Sequence, residues 1–293
     1  TKQGNTIITR WEFAGALFTQ EVTLYKGHYS ARDNLARVKH WVENKSGKTL
    51  QVGIRVVLDP MLGPDDDRPF LVPGRGAVTH GTLLKTRDDI PSFIYGCHKP
   101  VKGQGDFVLN LYGPDLVMPD RVYFARDSYL SDDSALEPGE NPSLGSALAG
   151  KSSLALVWSP RDLQAGKADG IAFAVGAACH VRREGQPLNL MLSLPYRAVG
   201  EEYWVGVVVE NEDTYWDVSD LSISLRHEAS SVRLVRGNPV YRFQRLPRSG
   251  MVFAYWKLTA LAGGRTTVTI DIGGTYRSQS LAARIQGTTE LTK

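Results

Sequence analysis

Only two cysteines, Cys97 and Cys179, occur in 293 residues. That is too few for the disulfide framework of a small secreted scaffold or for a zinc ribbon. One Cys97–Cys179 bridge in an oxidising compartment and two free thiols both stay open. No apolar run approaches the ~20 residues of a membrane-spanning helix, so no transmembrane segment is expected. Neither charge sign dominates: 34 Lys and Arg against 31 Asp and Glu leave +3, which gives no nucleic-acid signature. Gly-x-Ser-x-Gly, His-Glu-x-x-His and a phosphate-binding glycine loop are all absent. Spacing therefore places no nucleophile, zinc-peptidase or nucleotide chemistry, and the expectation is a non-enzymatic protein without a cofactor. An amphipathic helical period nowhere persists for ten residues; Asp33 to Arg37 offers one turn at most.

What remains is ordinary globular composition, 42% hydrophobic and 22% charged, with 29 Gly and 15 Pro to supply turns. Short runs rich in Ile, Val, Thr and aromatics read as strands: Thr6–Trp11, Leu17–Tyr25, Phe107–Tyr112, Asp120–Ala125, Ser153–Trp158 and Ile171–Gly176. The stretch 38–59 carries Val38, His40 and Val42 on one face, then a polar turn at 45–48, then Val52, Ile54, Val56 and Leu58. That pattern predicts a core hairpin. Residues 127–150, rich in Ser, Asp, Pro and Gly, read as a long surface loop. Composition shifts around Glu184–Pro187, which divides a large β-sandwich over 1–185 from a second over 186–293. The second holds about seven short strands, the rhythm of an immunoglobulin-like sandwich. Val-Glu-Asn closes a strand at 42–44 and again at 209–211, the same turn grammar used twice. The fold class expected is therefore all-β, a large antiparallel β-sandwich followed by an immunoglobulin-like one.

The run Val52-Gly53-Ile54-Arg55-Val56-Val57-Leu58-Asp59, with Leu62-Gly63, Asp66 and Pro69-Phe70, resembles the pattern V-G-I/L-R-x-M/L-L-D-T-x-L-G-x-N-D-G-x-P-F. It belongs to uncharacterised bacterial extracytoplasmic β-sandwich proteins, which the chain also resembles at Asp120–Ala125 and at Ala155–Pro160 followed by Leu163 and Gly166. The resemblance implies an immunoglobulin-like module next in the chain and, in some members, an OmpA-like domain of a cell-envelope protein. It also implies an extracytoplasmic, outer membrane-associated or periplasmic setting and an envelope protein or glycan as partner. Pro60, Asp65 and Asp67 depart from the pattern, and Asp67 stands where a permissive Gly is usual. The chain opens on Thr1 without a signal-peptide pattern, so a piece of a longer protein is expected.

Five constellations are candidates. Asp59, Asp65, Asp66 and Asp67 could offer oxygen ligands to calcium, against a solvated or Arg-paired turn. Cys97-His98 and Cys179-His180 could together make a zinc site, although neighbours on a strand point to opposite faces. His40, His80 or His98 with Glu43 could do acid–base work of the mutarotase kind, against structural histidines. Finally, Arg226, Arg233, Arg236, Arg242, Arg245 and Arg248 make part of the second domain basic. Arg233, Arg236, Arg242 and Arg245 could contact an anion or glycan, or else protect sheet edges. Tyr203, Trp204, Tyr215, Trp216, Tyr255 and Trp256 could build a sugar platform, half of them being core. A carbohydrate-binding or sugar-modifying protein is the alternative to a structural or interaction module. The two part on whether a first-domain face shows exposed aromatics beside a carboxylate.

Overall fold

A computed structural model describes residues 2–26, 33–60, 70–96, 107–113, 115–132, 136, 146–148, 152–177, 181–182, 186–194 and 197–292. The protein is an all-β chain of β-sandwich type; among the described residues its sheets are mainly antiparallel, and Arg197–Ala198 runs parallel to the Gln279–Thr292 strand. It divides into two compact units: Thr1–Val72, Ala77–His98 and Gly105–Ala177 form the first, and Pro73–Gly76, Lys99–Gln104 and Ala178–Lys293 the second. Val181–Arg182 already pairs with Leu188–Ser193, so strand structure of the second unit begins ahead of the composition shift at 184–187.

The first unit has a nine-stranded sheet and a four-stranded sheet. In the larger, Thr6–Phe13, Ala16–Lys26, Asp33–Asn44 and Ala168–Ala177 lie side by side. The smaller runs Leu50–Leu58, Ser152–Leu163, Arg121–Arg126, Thr82–Leu84. Phe70, Leu84, Phe124, Leu156, Trp158 and Phe173, all buried, fill the space between. Each such side chain contributes about 1.5–3 kcal/mol relative to exposure. Trp158 donates its indole N–H to the Val117 carbonyl at 3.1 Å and so buries no unpaired polar atom.

The expected hairpin over 38–59 is not one. Both strands form, Asp33–Asn44 and Leu50–Leu58, but they enter different sheets. Asp33–Asn44 pairs with Ala16–Lys26 and Ala168–Ala177, whereas Leu50–Leu58 pairs with Ser152–Leu163. The Asn44 side chain holds the turn that leaves the sheet. Its Oδ1 accepts the Ser46 backbone N–H at 2.9 Å, and its Nδ2 donates to the carbonyls of Lys48 and Leu163, both at 2.8 Å. The turn is thereby fastened to the place where the Ser152–Leu163 strand itself crosses back. Two further expectations fail locally. Asp33–Arg37 is strand, and the stretch read as loop from 127 opens with a short helix, Asp127–Asp132.

The second unit repeats this interlock. Glu202–Asn211 pairs with Met251–Ala260 in one five-stranded sheet, and Val218–His227 pairs with Val240–Leu246 in the other. Asn211, again 0% exposed, accepts the Asp213 N–H at 3.1 Å and donates to the carbonyls of Trp216 (2.9 Å) and Pro247 (3.2 Å). Tyr203, Trp256, Ile223 and Ile270 are among its buried residues. The Gln279–Thr292 strand alternates buried and exposed along its length, the period of two that one buried sheet face demands.

Candidate functional site

The best-organised surface cluster grows out of the Asn211 turn. Beyond that residue the chain must reach the opposite sheet at Val218, and 212–217 make the crossing, with 214–216 exposed. Asp213 organises this loop. Its Oδ1 accepts the backbone N–H groups of Tyr215 (2.7 Å) and Trp216 (3.0 Å), an Asx-type turn that satisfies donors no strand reaches. Oδ2 accepts the Tyr276 hydroxyl and an N–H of the Arg277 guanidinium at 3.1 Å. The Tyr276 hydrogen bond, with those two backbone N–H groups and Arg277, holds the Asp213 carboxyl down to a pKa of about 2. The Tyr276 phenol is pushed up, by burial first and then by its bond to Asp213.

Tyr276 and Arg277 come from a hairpin tip. Gly264–Tyr276 and Gln279–Thr292 pair down to Tyr276–Gln279, leaving a two-residue turn at Arg277-Ser278. Both residues have positive φ, 51° and 62°, the type I′ geometry usually given to Asn-Gly. Non-glycine residues there carry backbone strain of about 1 kcal/mol or more each. The strain is retained at a position that does something: Arg277 lies 5.7 Å from the ring centre of Trp216 and 5.0 Å from that of Tyr276. Tyr215 is 79% exposed and Trp216 52%. Beside them a cleft of about 360 Å³ is lined by Gln186, Pro187, Glu212, Asp213, Thr214, Tyr215 and Tyr276. Gln186 donates through Nε2 to the Ala282 carbonyl at 3.0 Å, while its Oε1 has no hydrogen-bond partner among the described residues.

The residues singled out in the sequence fare differently. Asp59 ends the Leu50–Leu58 strand and accepts the Ser153 hydroxyl at 2.9 Å, whereas Asp65, Asp66 and Asp67 lie outside the described residues. Cys97, His98, Cys179 and His180 also lie outside them. Among the described residues no three His, Cys, Asp or Glu side chains gather in a way that could hold a metal. His40 and Glu43 fall on opposite faces of one strand: Glu43 pairs with Lys45 at 2.5 Å, while His40 is half-buried in register with Gln20 and Ile171. Burial alone lowers the His40 pKa. His80 bonds Thr79 at an exposed site.

Arg233 and Arg236 sit on Val232–Arg236, the edge strand of one sheet; Arg242 and Arg245 sit on Val240–Leu246, the edge strand of the other. Arg245 pairs with Asp217 at 2.7 Å, and Arg226 shares Asp271 with Arg284. Of the aromatics, Tyr203, Trp204 and Trp256 are core, and Tyr215 and Trp216 are exposed. In the first unit, Trp11 (45% exposed) and Phe13 (72%) stand on one sheet face, with Trp11 stacked on Phe18 at 5.7 Å. The register puts Asp169 three strands away from Trp11 on that face, so these four strands bring no carboxylate beside the pair. Asp213, Tyr276 and Arg277 were not foreseen. A dipeptide without Gly or Asn between two alternating runs was the available signal.

No family model and no curated protein matches the sequence. Among solved structures, red sea bream transglutaminase aligns over 94% of this chain and 31% of its own, at 9% identity and a TM-score of 0.27. A DUF4785 family protein from Legionella pneumophila aligns over 92% of this chain and 69% of its own, at 14% identity and a TM-score of 0.25. This chain thus spans about a third of the transglutaminase's length. Both scores lie below the level at which two chains share a fold. No helix of the described residues is long and apolar enough to cross a membrane.

Proposed function

We propose that the chain is a non-catalytic interaction module of a bacterial cell-envelope protein, its immunoglobulin-like second sandwich contacting a carbohydrate through Tyr215, Trp216 and Tyr276. The observation that carries this reading is Asp213. Four donors occupy its oxygens and keep it ionised, which suits a residue that holds two exposed aromatic rings in place rather than one that moves protons. Rigid aromatic faces beside a cleft with a few polar groups fit the apolar faces and hydroxyls of a sugar ring. The extracytoplasmic setting rests on the motif through Val52–Asp59 and Pro69-Phe70.

A glycan array followed by calorimetry tests the site. Wild-type protein is expected to bind at least one envelope polysaccharide, and Trp216→Ala to lower that affinity by about tenfold or more. No binding on the array, or undiminished binding by a Tyr215→Ala, Trp216→Ala double variant, removes the sugar reading. Protease accessibility in spheroplasts tests the setting, and a protected cytoplasmic chain would remove that part.

A further inference from the structure

The groups lining the 360 Å³ cleft have hydrogen-bond roles that their neighbours fix. Gln186 donates through Nε2 to the Ala282 carbonyl at 3.0 Å. A carbonyl only accepts, so the amide cannot be turned over and Oε1 stays the acceptor. That oxygen is shielded from water and has no hydrogen-bond partner among the described residues. Buried polar atoms are nearly always paired, so an open acceptor in the wall of a cleft points to a donor from outside the chain.

The other lining groups share this polarity. Tyr276 gives its hydroxyl proton to Asp213, which leaves its own oxygen able only to accept. Asp213 and Glu212 are carboxylates, and an ionised carboxylate accepts without donating. Only the Thr214 and Tyr215 hydroxyls can take either role. No Lys, Arg or His stands among the described residues of the lining. Arg277, beside the cleft, is committed to Asp213 at 3.1 Å and lies over Trp216 and Tyr276.

Such a lining sorts sugars by their substituents. A uronate or phosphorylated ring would meet two carboxylates and no cation, a like-charge arrangement that selects against it. A ring hydroxyl both donates and accepts, and among acceptors its own lone pairs go unmatched. A nitrogen substituent avoids this, because an amide N–H or an ammonium only donates. We propose that the cleft recognises an amino sugar, whose nitrogen donates to Gln186 Oε1 while the ring lies on Tyr215. Gln186 is half-buried, so a small rotation of its side chain brings Oε1 to the bound nitrogen. The volume is near the lower end of the range of about 300–1,000 Å³ for ligand clefts and suits one ring with its substituent. This inference rests on the reading of the second sandwich as a carbohydrate contact and names the sugar. The nitrogen is acetylated or a free amine; both donate, and they differ in charge.

Calorimetry on the full chain tests it with three trisaccharides of one linkage that differ only at the second ring carbon. Tri-N-acetylchitotriose carries acetamido groups there, chitotriose ammonium groups and cellotriose hydroxyls. A glucuronate trisaccharide is the anionic control. At least one nitrogen-bearing sugar is expected to bind about tenfold or more tighter than cellotriose, and glucuronate not at all. Ammonium binding weakens with added salt and acetamido binding does not, which distinguishes the two sources. Gln186→Met removes the acceptor at similar length and should bring the affinity ratio of nitrogen-bearing sugar to cellotriose close to one. A merely loosened loop would weaken both sugars and keep the ratio. Should that variant fail to fold, Glu212→Gln serves instead, with glucuronate binding expected to rise relative to the amino sugar. Cellotriose or glucuronate binding as tightly as the nitrogen-bearing sugars, or a Gln186→Met protein that keeps the wild-type ratio, overturns this inference and leaves the carbohydrate reading in place. Failure of every glycan on the array removes that reading, and the amino-sugar inference with it.

Discussion

Asn44 and Asn211 hold the same post in their two sandwiches. Each is fully buried at the end of a strand, accepts the N–H two residues on, and donates to carbonyls where another strand crosses back. An alanine at either position strands several buried polar groups at once, each costing about 1–3 kcal/mol. Asn44→Ala and Asn211→Ala should therefore each lower stability by about 2–4 kcal/mol. Urea denaturation followed by exchange in each unit measures this; a loss under about 0.5 kcal/mol, within the range of a neutral surface change, contradicts the role assigned.

Asp213 gives an acid-side prediction. Its folded pKa of about 2 lies below its ordinary 3.8, so the stabilisation it provides is complete above pH 4 and lost as pH falls towards 2. Between those limits the wild type should lose urea resistance faster than Asp213→Asn. Parallel slopes for the two proteins would dissociate Asp213 from the loop.

His40 acts in a different window. Burial lowers its pKa from 6.5, so the unfolded chain binds the proton more readily. Its contribution is complete above pH 6.5 and declines as pH falls below it. His40→Gln should flatten the stability profile between pH 7 and pH 5, read from denaturation midpoints at each pH.

The Arg277-Ser278 turn separates strain from use. Ser278→Gly relieves a positive φ without touching the aromatic cluster, and should raise stability by about 1 kcal/mol with ligand binding unchanged. Arg277→Gly relieves strain too but removes the Asp213 and Trp216 contacts, so binding should fall. Calorimetry on both variants distinguishes the two effects.

The edge arginines make the last prediction. Replacing Arg233, Arg236 and Arg242 by Thr should leave the melting temperature nearly unchanged and increase self-association, seen in sedimentation, because bare strand edges pair. An unchanged sedimentation profile would rule out their guarding role.

Strand periodicity was legible, since alternation such as that of Val52, Ile54 and Val56 follows directly from a half-buried sheet. Pairing was not. The polar turn at 45–48 looks like a hairpin loop until Asn44 is seen to bond Leu163, a partner no local pattern announces. The Val-Glu-Asn echo was visible, but its meaning lay in those long-range carbonyls. The aromatic cluster was half legible: Tyr215 and Trp216 stood out by type, whereas Asp213 and Arg277 came together only through folding. The helix at Asp127–Asp132 is too short to leave a periodic trace.

The two interlocks differ in how far the chain must travel to close them. Asn44 meets Leu163 across 119 residues, whereas Asn211 meets Pro247 across 36. Loop closure grows with the logarithm of that separation, which makes the first about 1 kcal/mol costlier in chain entropy. Contacts of shorter range also form sooner. The Asn211 interlock is therefore expected to close ahead of the Asn44 one, leaving the first sandwich longer with its strand edges open.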